Sequence, residues 1–186
     1  MHVLITNRCN MNCIHCLYDC KSTGEDITIE TFEKCLKVVE KFKCDDFTLG
    51  GGEPTLHPEF NMLFDMAMSV RRHLRSNIRV ITNGTCDENT WKALKYWYED
   101  GRGLMDLIVS NDLWHDASKV SPWVKKDKLY TKSIQWVDEE NPFTLIHHGR
   151  AVHNKEQIVK DIKEKTKRTG VFFLLNNAGT TPRVDP

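Results

Sequence analysis

The sequence has no cysteine after Cys86, and it contains no long uninterrupted apolar segment. Its seven cysteines are an odd number, and no secretory signal peptide precedes them, so a disulfide framework is not expected. A chain with free thiols and no membrane segment is expected in a reducing compartment, the cytoplasm.

Net charge is also absent, because 26 lysine and arginine residues balance 26 aspartate and glutamate residues. No global field therefore favours nucleic acid or an anionic membrane. Internal repeats, low-complexity segments and interdomain linkers are absent too. We expect residues 1–186 to form a single domain that buries about 70% of the surface exposed by its unfolded chain, with a C-terminal tail from about residue 176.

Three cysteines near the start of the chain are the most informative feature. Cys9, Cys13 and Cys16 are separated by three and two residues, a spacing at which a short loop can turn three thiolates toward one metal centre. Iron–sulfur cubanes usually take four cysteines, so three would leave one iron open to another ligand. From spacing alone, a structural zinc site completed by His15 or His57 is an equal alternative.

Apolar periodicity predicts alternating strands and helices. Such alternation favours a parallel α/β sheet with right-handed crossovers, in which ligands gather at the carboxyl ends of the strands. The predicted strands are Val3–Thr6, Asp46–Leu49, Ile78–Thr82, Leu104–Val109, Leu129–Trp136, Phe143–Ile146 and Val171–Leu175. One predicted helix begins after Thr28. The others cover about 59–74, 87–98, 119–126 and 155–167.

Two motifs, each following a predicted strand, resemble those of the radical S-adenosylmethionine (SAM) superfamily. Thr6 leads directly into the cysteine motif, and the run Gly51-Gly52-Glu53-Pro54 follows the second strand. The resemblance implies a shortened, partial and open (β/α)6 barrel, since the strands are too few for the eight-stranded barrel. It also implies one [4Fe-4S] cluster, SAM on its open iron, a low-potential electron donor of flavodoxin or ferredoxin type, and a 5′-deoxyadenosyl radical that abstracts hydrogen from a substrate.

The same resemblance assigns roles to particular residues. Cys9, Cys13 and Cys16 would bind the cluster, and Glu53 would accept from the methionine ammonium of SAM. His15 stands where the family often carries an aromatic residue near adenine. The cofactor-binding residues expected in all are His15, Gly51, Gly52, Glu53, Pro54, Asn83, Ser110 and Asp112.

The substrate is not specified by these motifs. The absence of cysteine after Cys86 predicts no second cluster, and a short barrel favours a large substrate, such as a peptide or protein-bound group. One alternative is a small-molecule enzyme like the 7-carboxy-7-deazaguanine synthases, although Leu17-Tyr18 departs from their pattern. Another is a non-catalytic zinc-binding module. The run Gly149-Arg150-Ala151 resembles one in peptide-modifying and molybdopterin-type members, and candidate pocket residues are Trp114, His115, Trp136, His147 and His148.

Overall fold

The structure is a computed structural model. It describes residues 1–74, 77–99, 105–111, 114–131, 143–147, 150–166, 171–175 and 183–184. Among these residues, no helix is both long and apolar enough to span a membrane.

The first half of the chain forms a parallel four-stranded sheet. Its strands are β1 (His2–Thr6), β2 (Asp46–Gly51), β3 (Asn77–Thr82) and β4 (Met105–Val109), side by side in chain order. The connecting helices are α1 (Ile29–Phe42), α2 (Phe60–Leu74) and α3 (Glu88–Glu99). The predicted α/β alternation and parallel sheet are confirmed, with boundaries that differ by a residue or two.

Local sequence signals set the limits of α1. Thr28 caps its start, because the Thr28 hydroxyl accepts a hydrogen bond from the Thr31 amide at 3.2 Å. Phe32, Leu36 and Val39 recur at helical spacing and are buried against the sheet. The helix ends at Phe42, and the next residue, Lys43, adopts the left-handed conformation (φ 48°) that commonly terminates a helix.

The hydrophobic core lies between the helices and one face of this sheet, since buried and partly exposed residues alternate along β3 and β4. Phe32 of α1 packs against Phe47 of β2, with ring centroids 6.1 Å apart. Leu63 of α2 and Leu94 of α3 are also completely buried. Burying side chains of this size stabilises a fold by about 1.5–3 kcal/mol each, so these contacts hold the strand ends in fixed positions.

The second half of the chain differs from the sequence prediction in two places. Residues predicted as the strand Leu129–Trp136 begin with a helical turn, α5 (Lys128–Thr131), and the remainder lies outside the described residues. The Asp127 carboxylate accepts from the Leu129 amide at 2.9 Å, a capping contact that overrides the apolar pattern. The predicted helix near 119–126 is present as the shorter α4 (Pro122–Lys125).

A second sheet contains the last three strands. β5 (Phe143–His147) and β6 (Val171–Leu175) are parallel, and β7 (Arg183–Val184) pairs antiparallel with β6. The predicted tail therefore contains a short strand, because Val184 pairs with Val171 along the open edge of β6. Helices α6 (Arg150–His153) and α7 (Lys155–Thr166) lie between β5 and β6 in the chain.

The two sheets are separate in the described part of the chain. No strand pairing recorded there joins β4 to β5. The α/β class and the parallel sheet agree with a partial barrel, whereas closure of that barrel is not observed.

Candidate functional site

The carboxyl ends of the four parallel strands bring the sequence motifs together. The cysteine loop, residues 7–21, follows β1, and Gly52-Glu53-Pro54 follows β2. Asn83 follows β3, and Ser110 follows β4, where its amide donates to the Thr82 carbonyl at 2.8 Å. Ser110 is thus buried in the same region, while Asp112 lies outside the described residues.

The three cysteines lie in one folded loop. Cys13 is buried, and Cys9 and Cys16 are partly exposed. The Met11 amide donates to the Cys9 sulfur and the Cys20 amide to the Cys16 sulfur, both at 3.4 Å. Amide groups directed at sulfur stabilise thiolates and tune metal centres that thiolates bind.

The surroundings of Cys9 and Cys16 shift the pKa values of their thiols in opposite directions. Burial raises the pKa of the Cys9 thiol to about 11. A hydrogen bond from the Cys20 thiol, followed by one from the Arg150 guanidinium, lowers the pKa of Cys16 well below the usual range of a thiol. The same contact raises the pKa of Cys20, which keeps its proton and acts as the donor. Cys16 is therefore the cysteine best prepared to act as a thiolate.

The four cysteines outside the motif, Cys20, Cys35, Cys44 and Cys86, are free thiols in different surroundings. Cys20 and Cys86 are buried, and Cys35 and Cys44 are partly exposed. Cys20 differs from a simple apolar residue because it contacts Cys16.

The glycines after β2 allow close contact with the cysteine loop. A Cβ atom on Gly52 would lie 2.8 Å from the Cys9 Cβ and would also collide with the Arg8 carbonyl. Gly51 has a φ of 147°, which side-chain-bearing residues rarely adopt. The Gly52 amide donates to the Thr6 carbonyl at 2.9 Å, and the Glu53 amide donates to the Arg8 carbonyl at 2.8 Å. These two glycines therefore allow the turn after β2 to lie directly against the backbone of β1 and the cysteine loop.

The Glu53 carboxylate is completely buried and receives four hydrogen bonds. Oε1 accepts from the Thr82 hydroxyl at 2.7 Å, the Thr55 hydroxyl at 2.6 Å and the Thr55 amide at 3.2 Å. Oε2 accepts from the Asn83 amide at 2.6 Å. Glu53 also caps a one-turn 3₁₀ helix that begins at the buried Pro54. This glutamate therefore links the ends of β2 and β3.

Burial raises the pKa of Glu53 despite these donors. No ion pair between Glu53 and a cationic side chain is recorded within the described ranges. Oε1 already accepts three hydrogen bonds, whereas Oε2 accepts one from the described residues and has a second lone pair with which to accept another. The site thus contains a desolvated anion with acceptor capacity for a cationic group.

Asn83 connects this carboxylate with the cysteine loop. Its side-chain Nδ2 donates to the Asn10 Oδ1 at 2.9 Å and lies 3.9 Å from the Cys9 sulfur. The Thr85 hydroxyl donates to its Oδ1 at 2.8 Å. Asn83 is among the cofactor-binding residues expected from the sequence, but Asn10, Thr55 and Thr82 are not, although a contact of Thr82 with Glu53 follows directly from the adjacency of β2 and β3.

His15 lies in an aromatic cluster with Trp114 and His115. Its ring centroid is 4.6 Å from that of Trp114 and 5.7 Å from that of His115. Trp114 donates through Nε1 to the Asp161 carboxylate at 3.0 Å, so the cluster connects the cysteine loop with α7. Trp136 and His148 lie outside the described residues, and His147 is described only as the last residue of β5.

The histidine at position 57 does not point a ring nitrogen at the cysteines. Its Nδ1 accepts from the Glu59 amide at 3.0 Å, which makes Nε2 the protonated donor to the Ile27 carbonyl at 3.0 Å. Across the described ranges, no three His, Cys, Asp or Glu side chains are close enough together to hold one metal ion. A cubane has a different requirement, because each cysteine binds a different iron and the sulfurs stand farther apart.

A parallel α/β sheet with a three-cysteine loop after its first strand, facing a glycine-rich turn that carries a buried glutamate, defines a class of cofactor-dependent α/β enzyme. The family model "Radical SAM superfamily" matches residues 3–99, more than half of the chain. The chain therefore belongs to the radical SAM superfamily and is an enzyme of that class.

One curated relative agrees with this assignment. The protein described as a probable GTP 3′,8-cyclase from Thermoplasma volcanium is 32% identical over 85 residues. The alignment covers 45% of this chain and 25% of that protein, so the chain spans about a quarter of the relative's length. The cyclase activity is named for that relative and is not thereby assigned to this chain.

Proposed function

We propose that this protein binds one [4Fe-4S] cluster through Cys9, Cys13 and Cys16 and binds SAM at the iron that these cysteines leave open. The main observation in support of this proposal is the contact between the cysteine loop and the turn that contains Glu53. When bound, the reduced cluster and SAM would supply a 5′-deoxyadenosyl radical that abstracts hydrogen from a substrate. An external low-potential donor of flavodoxin or ferredoxin type would provide the electron.

The residues of the chain fit such a group in two respects. Amide hydrogens are directed at the sulfurs of Cys9 and Cys16, as expected around iron–sulfur centres. Glu53 is a buried carboxylate whose recorded partners are neutral donors, so an ammonium group would replace the missing counter-charge. Glu53 would bind and orient SAM, and the buried strand ends would keep water from the reacting atoms.

Anaerobic reconstitution with iron and sulfide tests this proposal. We expect a brown protein with a sulfur-to-iron charge-transfer band and about four iron atoms per chain. Replacing Cys9, Cys13 or Cys16 with alanine should remove that iron, whereas Cys35→Ala provides a matched control outside the loop. A colourless protein with stoichiometric zinc would instead support the zinc-binding module.

For the substrate, we propose a peptide or a protein-bound group. A shortened barrel would leave the radical site wide and open at the side, and a large substrate would itself close that opening and exclude water. Deuterium transfer from a labelled peptide into 5′-deoxyadenosine would support this assignment.

A small-molecule substrate is the second candidate, favoured by the similarity to a probable GTP 3′,8-cyclase. A nucleotide or a deazapurine-type heterocycle would then transfer deuterium without a protein partner and at full rate. Iron near eight atoms per chain would contradict the expectation of one cluster in either case.

A further inference from the structure

Arg150, at the start of α6, reaches back to the cysteine loop from the opposite half of the chain. Its backbone amide donates to the Cys16 carbonyl at 2.9 Å. Its guanidinium donates through one terminal nitrogen to the Cys20 carbonyl at 2.6 Å and through the other to the Asn12 side chain. The third guanidinium nitrogen, Nε, lies 3.3 Å from the Asp19 carboxylate.

These contacts hold the loop on both sides of Cys16. Asn12 precedes Cys13, and Asp19 and Cys20 follow Cys16, so one planar guanidinium connects the two arms of the loop. Asn154, one turn later, donates through Nδ2 to the Ile14 carbonyl at 3.3 Å. The Arg150 side chain is 16% exposed, so its charge lies mostly out of water beside the loop.

We infer that Arg150 is a positioning residue for the cluster loop, which fixes the backbone around Cys16 and places a positive charge beside that ligand. The inference rests on the proposed function, since it concerns how the cysteines hold a cluster. It extends that function to a residue on α6, beyond the part of the chain that the family model matches.

The two properties of Arg150 have different measurable effects. Bidentate geometry organises the loop, and a lysine, as a point charge, cannot reproduce it. Positive charge near a ligand sulfur favours the more negative, reduced state of a cluster and therefore raises its reduction potential. Replacement by alanine removes both properties, whereas replacement by lysine removes chiefly the geometry.

The first experiment measures iron release to a chelator and the reduction potential of the reconstituted protein. Arg150→Ala should release iron about tenfold faster, the change given by losing one charge-assisted hydrogen bond, and its potential should become more negative. Arg150→Lys should accelerate release while the potential stays near that of the wild type. Asn154→Ala should show a smaller acceleration.

Arg79→Ala is the matched control, because Arg79 also forms one ion pair, at 3.1 Å with Asp106, but lies within the sheet. If it accelerates iron release as much as Arg150→Ala does, or if Arg150→Ala leaves release and potential unchanged, the inference is wrong. Should Arg150→Ala fail to fold, the lysine and Asn154 variants carry the same test.

The second experiment follows alkylation of the cluster-free protein by iodoacetamide. Cys20 is 1% exposed and Cys86 is 4% exposed, so Cys86 reports general opening of the fold in the same molecule. Arg150→Ala should accelerate alkylation of Cys20 about tenfold relative to Cys86. Equal changes at both cysteines, or none, would overturn the inference. If the wild type takes up no cluster but Arg150→Ala still accelerates alkylation of Cys20 selectively, the proposed function is refuted. The positioning of the loop by Arg150 is then still supported.

Discussion

Replacing Glu53 with glutamine is the most direct test of the proposed SAM site. The substitution preserves the size of the side chain but removes its negative charge. A glutamine oxygen can still accept from the three donors that meet Oε1, namely the Thr82 hydroxyl and the hydroxyl and amide of Thr55. The variant should therefore keep most of the local structure.

The expected loss of SAM affinity follows from the charge-assisted hydrogen bond that the ammonium group of SAM would lose. A hydrogen bond to a charged group contributes roughly 1.5–3 kcal/mol, which corresponds to a ten- to hundredfold loss of SAM affinity. The glutamine NH₂ group would also face the Asn83 amide, which now donates to Oε2 at 2.6 Å. Leaving that amide without its acceptor costs about 1–3 kcal/mol of stability, partly offset because no charge is buried.

Equilibrium binding of SAM to the anaerobically reconstituted protein is the appropriate assay, with iron content measured on the same samples. Thr82→Val is the matched control, since it removes one neutral donor to Glu53 and leaves the carboxylate charge in place. We expect Glu53→Gln to weaken SAM binding with iron content preserved, and Thr82→Val to lower the melting temperature with a much smaller effect on SAM. Unchanged SAM affinity in Glu53→Gln would refute the role assigned to the charge.

Two further predictions concern pH and backbone contact. Because burial raises the pKa of Glu53 above its unfolded value near 4.5, its contribution to apoprotein stability is fully present below that value. This contribution is lost as pH rises through the folded pKa, so urea unfolding of the wild type should show a decline that Glu53→Gln lacks. Gly52→Ala would place a Cβ 2.8 Å from the Cys9 Cβ, and it should reduce both the melting temperature and the iron content; normal iron content would show that the turn can move away from the loop.

The first half of the fold was predictable because each element carries its own signals. Thr28 supplies a cap, Phe32, Leu36 and Val39 supply helical periodicity, and β4 is apolar at every position except its second. In α5 the apolar pattern was misleading, since capping by Asp127 decided the local structure. The short strand β7 depends on pairing with β6, and two residues contain no periodicity from which to predict it.

The candidate site was predictable as a list of residues but not as a set of contacts. The motifs identified Glu53, yet its complete burial depends on Thr82 and Asn83, which belong to the neighbouring strand and its loop. Arg150 was noted only as part of a short family-like run. Its contact with Cys16 depends on how the second half of the chain meets the first, and sequence periodicity contains no information about that approach.

The contacts around Asn83 imply that the proposed SAM and cluster sites are not independent. The Asn83 backbone amide holds the Glu53 carboxylate, and its side-chain amide holds Asn10 and approaches the Cys9 sulfur. A ligand that moves or neutralises Glu53 therefore acts on a residue that also contacts the cysteine loop. Because coupling between two binding sites is reciprocal, any effect of SAM on the retention of iron must be matched by an equal effect of the cluster on SAM affinity. Arg150 contacts Asn12, Asp19 and Cys20 of the loop and forms no hydrogen bond or ion pair with Glu53 or Asn83 within the described residues, so its loss should weaken the cluster while leaving that coupling in place.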